Sequence, residues 1–110
     1  MLARELAYCA LIVSGEFELC GHLKGSRDHR PNTPRGCEEC LASGDEWVHL
    51  RLCLTCGHVG CCDESKNKHA TKHYRLMTHP VIRSFEPGEH WRYCYPDDLG
   101  VEWESASSRA

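Results

Sequence analysis

The 110-residue sequence has no long apolar run and no strong excess of charge of either sign. Its formal net charge is -3 at pH 7, whereas a domain that binds nucleic acid through bulk charge is strongly basic. The apolar segment from Leu6 to Val13 is too short to span a bilayer. Glu5 interrupts the positive flank that a secretion signal needs. We therefore predict a cytoplasmic protein with reduced thiols, and we expect neither nucleic acid nor a membrane as its partner.

The sequence also lacks the signatures of the common zinc enzymes. Ala70 follows His69, at the position where a helical metalloprotease carries the glutamate that acts as base. Neither the His-x-Glu nor the Pro-Cys-x-x-Cys signature of the zinc deaminases occurs. A catalytic zinc also keeps one coordination position open, which a four-ligand structural site does not. These features predict a protein that is not an enzyme.

Cysteine and histidine are abundant, with nine and eight residues respectively. Eight of them recur in a short run, namely Cys37, Cys40, Cys53, Cys56, Cys61, His69, His73 and His79. Its two Cys-x-x-Cys pairs indicate zinc, because two intervening residues let both sulfurs face one ion. One tetrahedral ion takes four ligands, so the run predicts at least two zinc ions. Zinc would then contribute directly to folding, since nine glycines and five prolines interrupt a modest apolar core.

A second group of candidate ligands lies outside this run. Cys20 and His22 form a Cys-x-His pair that could bind one ion together with Cys94, although they could also be incidental. Cys9 and Cys62 are expected to be free or small buried thiols. The alternative for the whole chain is a disulfide framework in a secreted domain. The odd number of cysteines and the interleaved histidines argue against that alternative.

Residue periodicity predicts an α+β fold, a small zinc-stabilised domain with a short twisted antiparallel sheet and one main helix. Strands are expected at residues 47–54, 81–85 and 91–95, with an edge strand at 101–103. We assign the domain to residues 19–103. The N-terminal segment 1–18 is of uncertain order, and the tail 104–110 is expected to be disordered.

The main helix is expected from about Lys66 to Leu76, capped by Asp63 or Ser65. On this helix, His69 and His73 would lie one turn apart and on the same face. Each of the two rings could therefore bind a different ion.

One set of spacings is also typical of a different kind of zinc finger. Together with Cys53 and Cys56, the two helical histidines have the spacing of a C2H2 finger that reads nucleic acid. Such a finger needs two apolar core residues, and Gly60 and Lys66 stand in their places. A nucleic-acid-binding finger therefore remains only an alternative.

Several segments agree in order and spacing with a known family: Gly36 to Cys40, Trp47-Val48, Leu52 to Cys61, His69 to Tyr74, and Thr78 to Pro80. They resemble the UBP-type zinc finger, which occurs in ubiquitin-specific proteases, in a cytoplasmic histone deacetylase and in stand-alone bacterial chains. The resemblance extends from about Cys20 to Asp98.

This resemblance implies two or three zinc ions in separate sites. The first would be bound by Cys37, Cys40, Cys61 and His69. The second would be bound by Cys53, Cys56, His73 and His79. The third would be bound by Cys20, His22, Cys94 and Asp97, where Asp97 replaces a cysteine of the family and would bind zinc through oxygen.

The resemblance also implies a role in recognition. Eukaryotic relatives hold the free C-terminal Gly-Gly tail of ubiquitin with an arginine and a tryptophan, at positions that resemble Asp63 and Tyr93 here. Since an aspartate repels a carboxylate, we do not expect this chain to bind the ubiquitin tail in the eukaryotic manner. The use of all the ligands in structural sites, beside an aromatic strand, predicts non-enzymatic recognition of a protein or peptide by a monomer. The groove for it would be bordered by Trp91, Tyr93 and Tyr95, which share one face of a predicted strand and could instead be core.

Two further possibilities remain open from the sequence. Three arginines are candidates for a displaced positive charge in the groove: Arg51, Arg83 and Arg92. The alternative function is a redox- or metal-responsive protein, with Cys62 beside Cys61 as its reactive thiol.

Overall fold

An antiparallel five-stranded sheet is the frame of the domain. The computed structural model describes residues 20–103, so the predictions for residues 1–18, for 104–110 and for Cys9 lie outside the described residues. The elements in chain order are α1 (Gly21–Lys24), α2 (Glu38–Ser43), β1 (Leu50–Cys53), β2 (Val59–Cys61), α3 (His69–Met77), β3 (Val81–Ser84), β4 (Trp91–Cys94) and β5 (Leu99–Glu102). The strand order is β2-β1-β3-β4-β5, which confirms the predicted α+β fold. Within the described range, every helix is too short or too polar to cross a membrane.

The register of the strands sets which side chains share a face. Cys53 of β1 lies opposite Ile82 of β3, and Ile82 lies opposite Tyr93 of β4. Tyr93 in turn lies opposite Gly100 of β5. Because directly opposed residues project to the same side of an antiparallel sheet, Cys53 and Tyr93 lie on one face. We call this side the helix face, since α3 packs over β2 and β1.

The opposite side of the sheet carries the apolar core. Leu52, Val59 and Val81 are buried there, together with Leu23 of α1. The same cluster contains several thiols of the predicted metal sites, which are Cys37, Cys40, Cys61 and Cys94. The apolar core and the predicted metal ligands are therefore one continuous packed unit.

Several observed elements are shorter than the predicted ones or shifted along the chain. The strand predicted at residues 47–54 begins only at Leu50, and Val48 is 52% exposed. The edge strand lies at Leu99–Glu102 rather than at 101–103. Two short helices, α1 and α2, lie at the predicted Cys-x-His pair and at the first Cys-x-x-Cys pair.

The predicted start and caps of the main helix are wrong. The helix begins at His69, after Lys68 in a left-handed conformation with φ of 54°. Ser65 does not cap it, because its hydroxyl accepts a hydrogen bond from the Val48 amide at 2.9 Å. Asp63 accepts from the Thr71 hydroxyl at 2.6 Å. Both polar groups are therefore used in contacts with other parts of the fold.

Candidate metal centres and the aromatic face

The first predicted site joins α2, β2 and α3. Its ligand atoms, from Cys37, Cys40, Cys61 and His69, all lie within 4.8 Å of one another. His69 Nδ1 lies 3.2 Å from the sulfur of Cys37 and 3.5 Å from that of Cys61. The three thiols are buried, and burial raises the pKa of Cys37 to about 12. Such thiols need a cation beside them to ionise.

The second predicted site joins the knuckle after β1 to α3 and the residue before β3. Its members are Cys53, Cys56, His73 and His79. His73 Nε2 lies 3.4 Å from the sulfur of Cys56, and His79 Nδ1 lies 3.5 Å from that of Cys53. Burial, followed by the neighbouring histidines, lowers the pKa of His73 to about 4. His73 is therefore neutral at pH 7, which is the form that binds metals.

The third predicted site joins the start of α1 to the turn after β4. Its members are Cys20, His22, Cys94 and Asp97. Asp97 Oδ2 lies 3.2 Å from His22 Nδ1 and 3.4 Å from the sulfur of Cys94. Hydrogen bonds from Cys20, His22 and Cys94 lower the pKa of Asp97. The aspartate thus lies where the resemblance placed a ligand, as an ionised oxygen donor.

The three groups fit tetrahedral zinc. Bonds of about 2.0 to 2.3 Å to the metal place neighbouring ligand atoms roughly 3.3 to 3.8 Å apart, and the distances of 3.2 to 3.5 Å from the histidine nitrogens to their nearest cysteine or aspartate partners are close to this range. Zinc in these sites would bind all four donors and cross-link elements far apart in the chain. The structure brings the twelve residues together, and their binding of zinc stays a prediction.

Two alternatives from the sequence do not agree with this arrangement. His69 lies with Cys61, whereas His73 lies with Cys56, so the C2H2 spacing does not correspond to one site and that interpretation is wrong. The eight cysteines in the range 20–103 are free thiols, and no disulfide framework is present there. Cys62 is 5% exposed, in accord with the expectation of a small buried residue.

His58 is a residue of the site that the sequence reasoning missed. Its buried ring stacks on His73 at 4.0 Å between ring centroids. Its Nε2 lies 2.9 Å from both carboxylate oxygens of Glu39 on α2. Although burial raises the pKa of Glu39, the hydrogen bond with His58 lowers it to a net value below the usual one. The sequence signal was the position of His58 directly after the second Cys-x-x-Cys knuckle, and such outer partners orient metal-binding histidines.

The predicted groove residues lie partly exposed on the helix face. We call Trp91, Tyr93 and Tyr95 the aromatic face; all three are half-buried. The Tyr95 ring stacks on Tyr74 of α3 with centroids 4.5 Å apart, and Tyr93 meets Tyr95 edge to face at 5.1 Å. The intervening Arg92 and Cys94 are the buried residues of β4. The aromatic side chains are therefore available to a partner rather than enclosed in the core.

Charges of both signs border the aromatic face. The exposed Asp63 accepts a hydrogen bond from Thr71, whose hydroxyl lies 3.4 Å from that of Tyr95. At the other end, the guanidinium of Arg51 lies 4.6 Å from the ring centroid of Trp91. Of the three candidate arginines, only Arg51 contacts the aromatic face.

The other two arginines line a cleft of about 740 Å³ that also extends to Trp91. Arg83 Nε lies 3.0 Å from Asp28, and Arg92 lies 3.6 Å from the same carboxylate oxygen. Arg92 is 3% exposed, donates to the Ser26 hydroxyl, and lies 4.2 Å from the Trp103 ring centroid. Both guanidiniums therefore pair with Asp28, whereas the guanidinium of Arg51 lies against Trp91.

Comparisons with known proteins agree on one domain type. The sequence profile described as "Zn-finger in ubiquitin-hydrolases and other protein" matches residues 37–106. Ubiquitin carboxyl-terminal hydrolase 16 of Rattus norvegicus is 37% identical over 99 residues, which cover 87% of this chain and 11% of the relative. NAD-dependent deacetylase sir2A of Dictyostelium discoideum is 34% identical over 65 residues, which cover 59% of this chain and 11% of the relative. The chain thus spans about a tenth of the length of these curated relatives.

A solved structure extends the comparison to nearly the whole domain. The solution NMR structure of a protein from Rhodopseudomonas palustris is 49% identical and superposes with a TM-score of 0.72. The match covers 78% of this chain and 83% of that chain. Together with the cysteine and histidine clusters, the profile match identifies zinc as the metal of this domain.

Proposed function

Because the chain belongs to the family of zinc fingers found in ubiquitin hydrolases and other proteins, we propose that it is a non-enzymatic module that recognises a protein or peptide. The observation that carries this proposal is the aromatic face, with three adjacent half-buried rings on the side of the sheet away from the core. Aromatic residues dominate the energetics of many protein interfaces. The module comprises residues 19–103 and acts as a monomer in the cytoplasm, where thiols remain reduced.

The ligand sets support a non-enzymatic role. Each of the three clusters offers four donors. Two of the clusters, those of Cys37 and of Cys94, contain buried thiols that belong to the apolar core. A zinc ion bound by four protein donors has no open position for a substrate or an activated water. The ions would then hold the aromatic face in shape, and recognition would take place on the protein surface.

The charge at Asp63 favours a partner that does not present a terminal carboxylate there. Asp63 is exposed beside Tyr95. A carboxylate of the partner at this position would be repelled by Asp63 and would not meet a guanidinium that could form a bidentate pair with it. We therefore propose that the mode by which eukaryotic relatives hold the ubiquitin tail is absent from this chain.

Calorimetry with a peptide ending in the ubiquitin Gly-Gly tail tests the carboxylate argument. The native protein should bind the free acid and the C-terminal amide equally weakly. Asp63→Arg should gain at least about tenfold in affinity for the free acid alone, because a hydrogen bond to a charged group contributes about 1.5 to 3 kcal/mol and a guanidinium can form two of them with one carboxylate. Tight binding of the free acid by the native protein, lost on amidation, would contradict the proposal.

Site-specific photo-crosslinking tests the recognition role itself. A benzophenone side chain at position 93 should form discrete adducts with a protein partner in an extract. The matched control is position 41, since Leu41 is an exposed apolar residue on α2, 48% exposed and outside the aromatic face. Equal labelling from both positions would overturn the assignment of the aromatic face as the recognition surface.

A further inference from the structure

A fourth group of metal-binding side chains lies outside the three family clusters. His49, Cys62 and Glu64 each offer one ligand atom, and these atoms lie within 4.8 Å of one another. His49 Nδ1 is 3.8 Å from Glu64 Oε1. None of these residues belongs to the sets implied by the family resemblance.

The sheet itself holds two of the three donors side by side. The amide of Cys62 donates to the carbonyl of His49 at 2.9 Å, which extends the β1–β2 ladder one pair beyond Leu50 and Cys61. Directly opposed residues of an antiparallel ladder project to the same side. His49 and Cys62 therefore remain neighbours as long as these two strands pair, whereas the adjacent Cys61 projects to the core side.

The third donor can adjust its position. Glu64 lies in the turn after β2, and its side chain is 77% exposed. Tetrahedral zinc needs its ligand atoms roughly 3.3 to 3.8 Å apart, and rotation of this exposed carboxylate adjusts its distances to the other two donors. Two donors anchored by backbone pairing and one adjustable donor make a site that is largely formed before the metal arrives.

We propose that His49, Cys62 and Glu64 form a fourth, exchangeable metal site for zinc or a similar late first-row divalent ion. Thiolate, imidazole and carboxylate are the donor types that such ions prefer. The three donors leave one position to water, so the ion binds more weakly than in the four-donor clusters and exchanges with the solution. Loss of this ion leaves the twelve predicted structural ligands untouched, so occupancy of the fourth site follows the metal supply without unfolding the domain.

Zinc titration followed by native mass spectrometry tests the proposal on the full chain. The protein is dialysed against metal-free buffer without chelator, and zinc is then added. The native protein should take up one ion beyond those retained on dialysis. Cys62→Ala and His49→Ala should each abolish this additional uptake, whereas the control His90→Ala, in an exposed residue outside the group, should keep it. No additional ion in the native protein, or its persistence in both variants, would overturn the proposal.

Cys62 is buried, so the Cys62 variant could misfold. A variant at the surface tests the site without this problem. Glu64→Gln alters only an exposed side chain and should weaken binding of the additional ion by at least about tenfold, as expected for removal of a metal-binding group. Cobalt added to the dialysed protein should show sulfur-to-cobalt charge-transfer absorption that is absent from Cys62→Ala. Unchanged affinity in Glu64→Gln together with no cobalt–thiolate absorption would contradict the site.

Discussion

Tyr93 and Asp98 form a tight hydrogen bond at the rim of the aromatic face. The Tyr93 hydroxyl donates to Asp98 Oδ1 at 2.6 Å. Burial, together with this carboxylate, raises the pKa of Tyr93 to about 12. Asp98 has a positive φ of 51°, a conformation that aspartate and asparagine tolerate better than most residues. The neutral phenol is therefore the form that the fold stabilises.

We expect Asp98→Asn to lower the pKa of Tyr93, since it removes the negative charge while keeping the backbone conformation. Because the folded pKa is raised, the contribution of Tyr93 to stability is complete below a pH of about 10 and is lost as pH rises toward about 12. Alkaline titration followed by NMR of the tyrosine ring measures this shift. A Tyr93 titration that is identical in the two proteins would contradict the assigned hydrogen bond.

Gly60 permits the close approach of α3 to the sheet. A Cβ atom at this position would lie 2.6 Å from the backbone nitrogen and 2.8 Å from the Cα atom of Ala70. Both contacts are with backbone atoms and cannot be relieved by a side-chain rotation. The position therefore requires glycine because of space.

We expect Gly60→Ala to destabilise the domain by roughly 1 to 3 kcal/mol, the usual cost of overpacking a well-packed site. Urea denaturation of the zinc-loaded protein measures the effect. Gly21→Ala is the matched control, because its added Cβ meets no atom within 4 Å and alanine favours a helix. Equal stability of Gly60→Ala and the native protein would show that α3 can move away.

At the scale of elements, α3 distributes its histidines between two clusters. His69 lies with the first site and His73 with the second, as expected from their spacing of one helical turn. The start of the helix was not predictable, because Ser65 makes its hydrogen bond with Val48, 17 residues away. A cap residue that bonds elsewhere in the fold has the same local sequence as one that caps a helix.

The contact between α2 and the second knuckle depends on Glu39 and His58. We expect Glu39→Gln to cost about 0.5 to 1 kcal/mol, since the carboxylate is 45% exposed and solvent weakens the pair. Zinc should also be lost faster to a chelator, because His58 packs on the predicted ligand His73. Chelator-release kinetics test this, with the exposed Glu46→Gln as control. Equal release rates in all three proteins would contradict the role of His58.

At the scale of the whole molecule, the predicted ligands connect distant segments to one core. The clusters tie residue 20 to residue 97, residue 37 to residue 69, and residue 53 to residue 79. We expect chelation to abolish the folded state, because the buried thiols lie within the apolar core and need a cation. Loss of NMR dispersion on chelation, recovered by added zinc, would confirm this. A dispersed spectrum in the metal-free protein would contradict it.

The candidate metal ligands between Cys37 and His79 could be identified in the sequence from their residue types and spacing, whereas their division into sets came from the family resemblance. The buried face of β4 was not predictable. Alternation suggested that Trp91 and Tyr93 could form the core, yet Arg92 and Cys94 are buried instead. Arg92 tolerates burial because Ser26 accepts a hydrogen bond from its guanidinium, Asp28 lies 3.6 Å away as an ion-pair partner, and Trp103 covers the group. These partners come from distant parts of the chain and leave no local pattern.

The most direct test of the account is a native mass spectrum of the protein dialysed against metal-free buffer without chelator, beside a denatured spectrum that counts disulfides. The account predicts three retained zinc ions and no disulfide bonds, because three separate groups of four donors are assembled. Two retained ions would contradict the ligand role of the group that contains Asp97. No zinc, with the cysteines paired in disulfides, would contradict the zinc-stabilised fold as a whole.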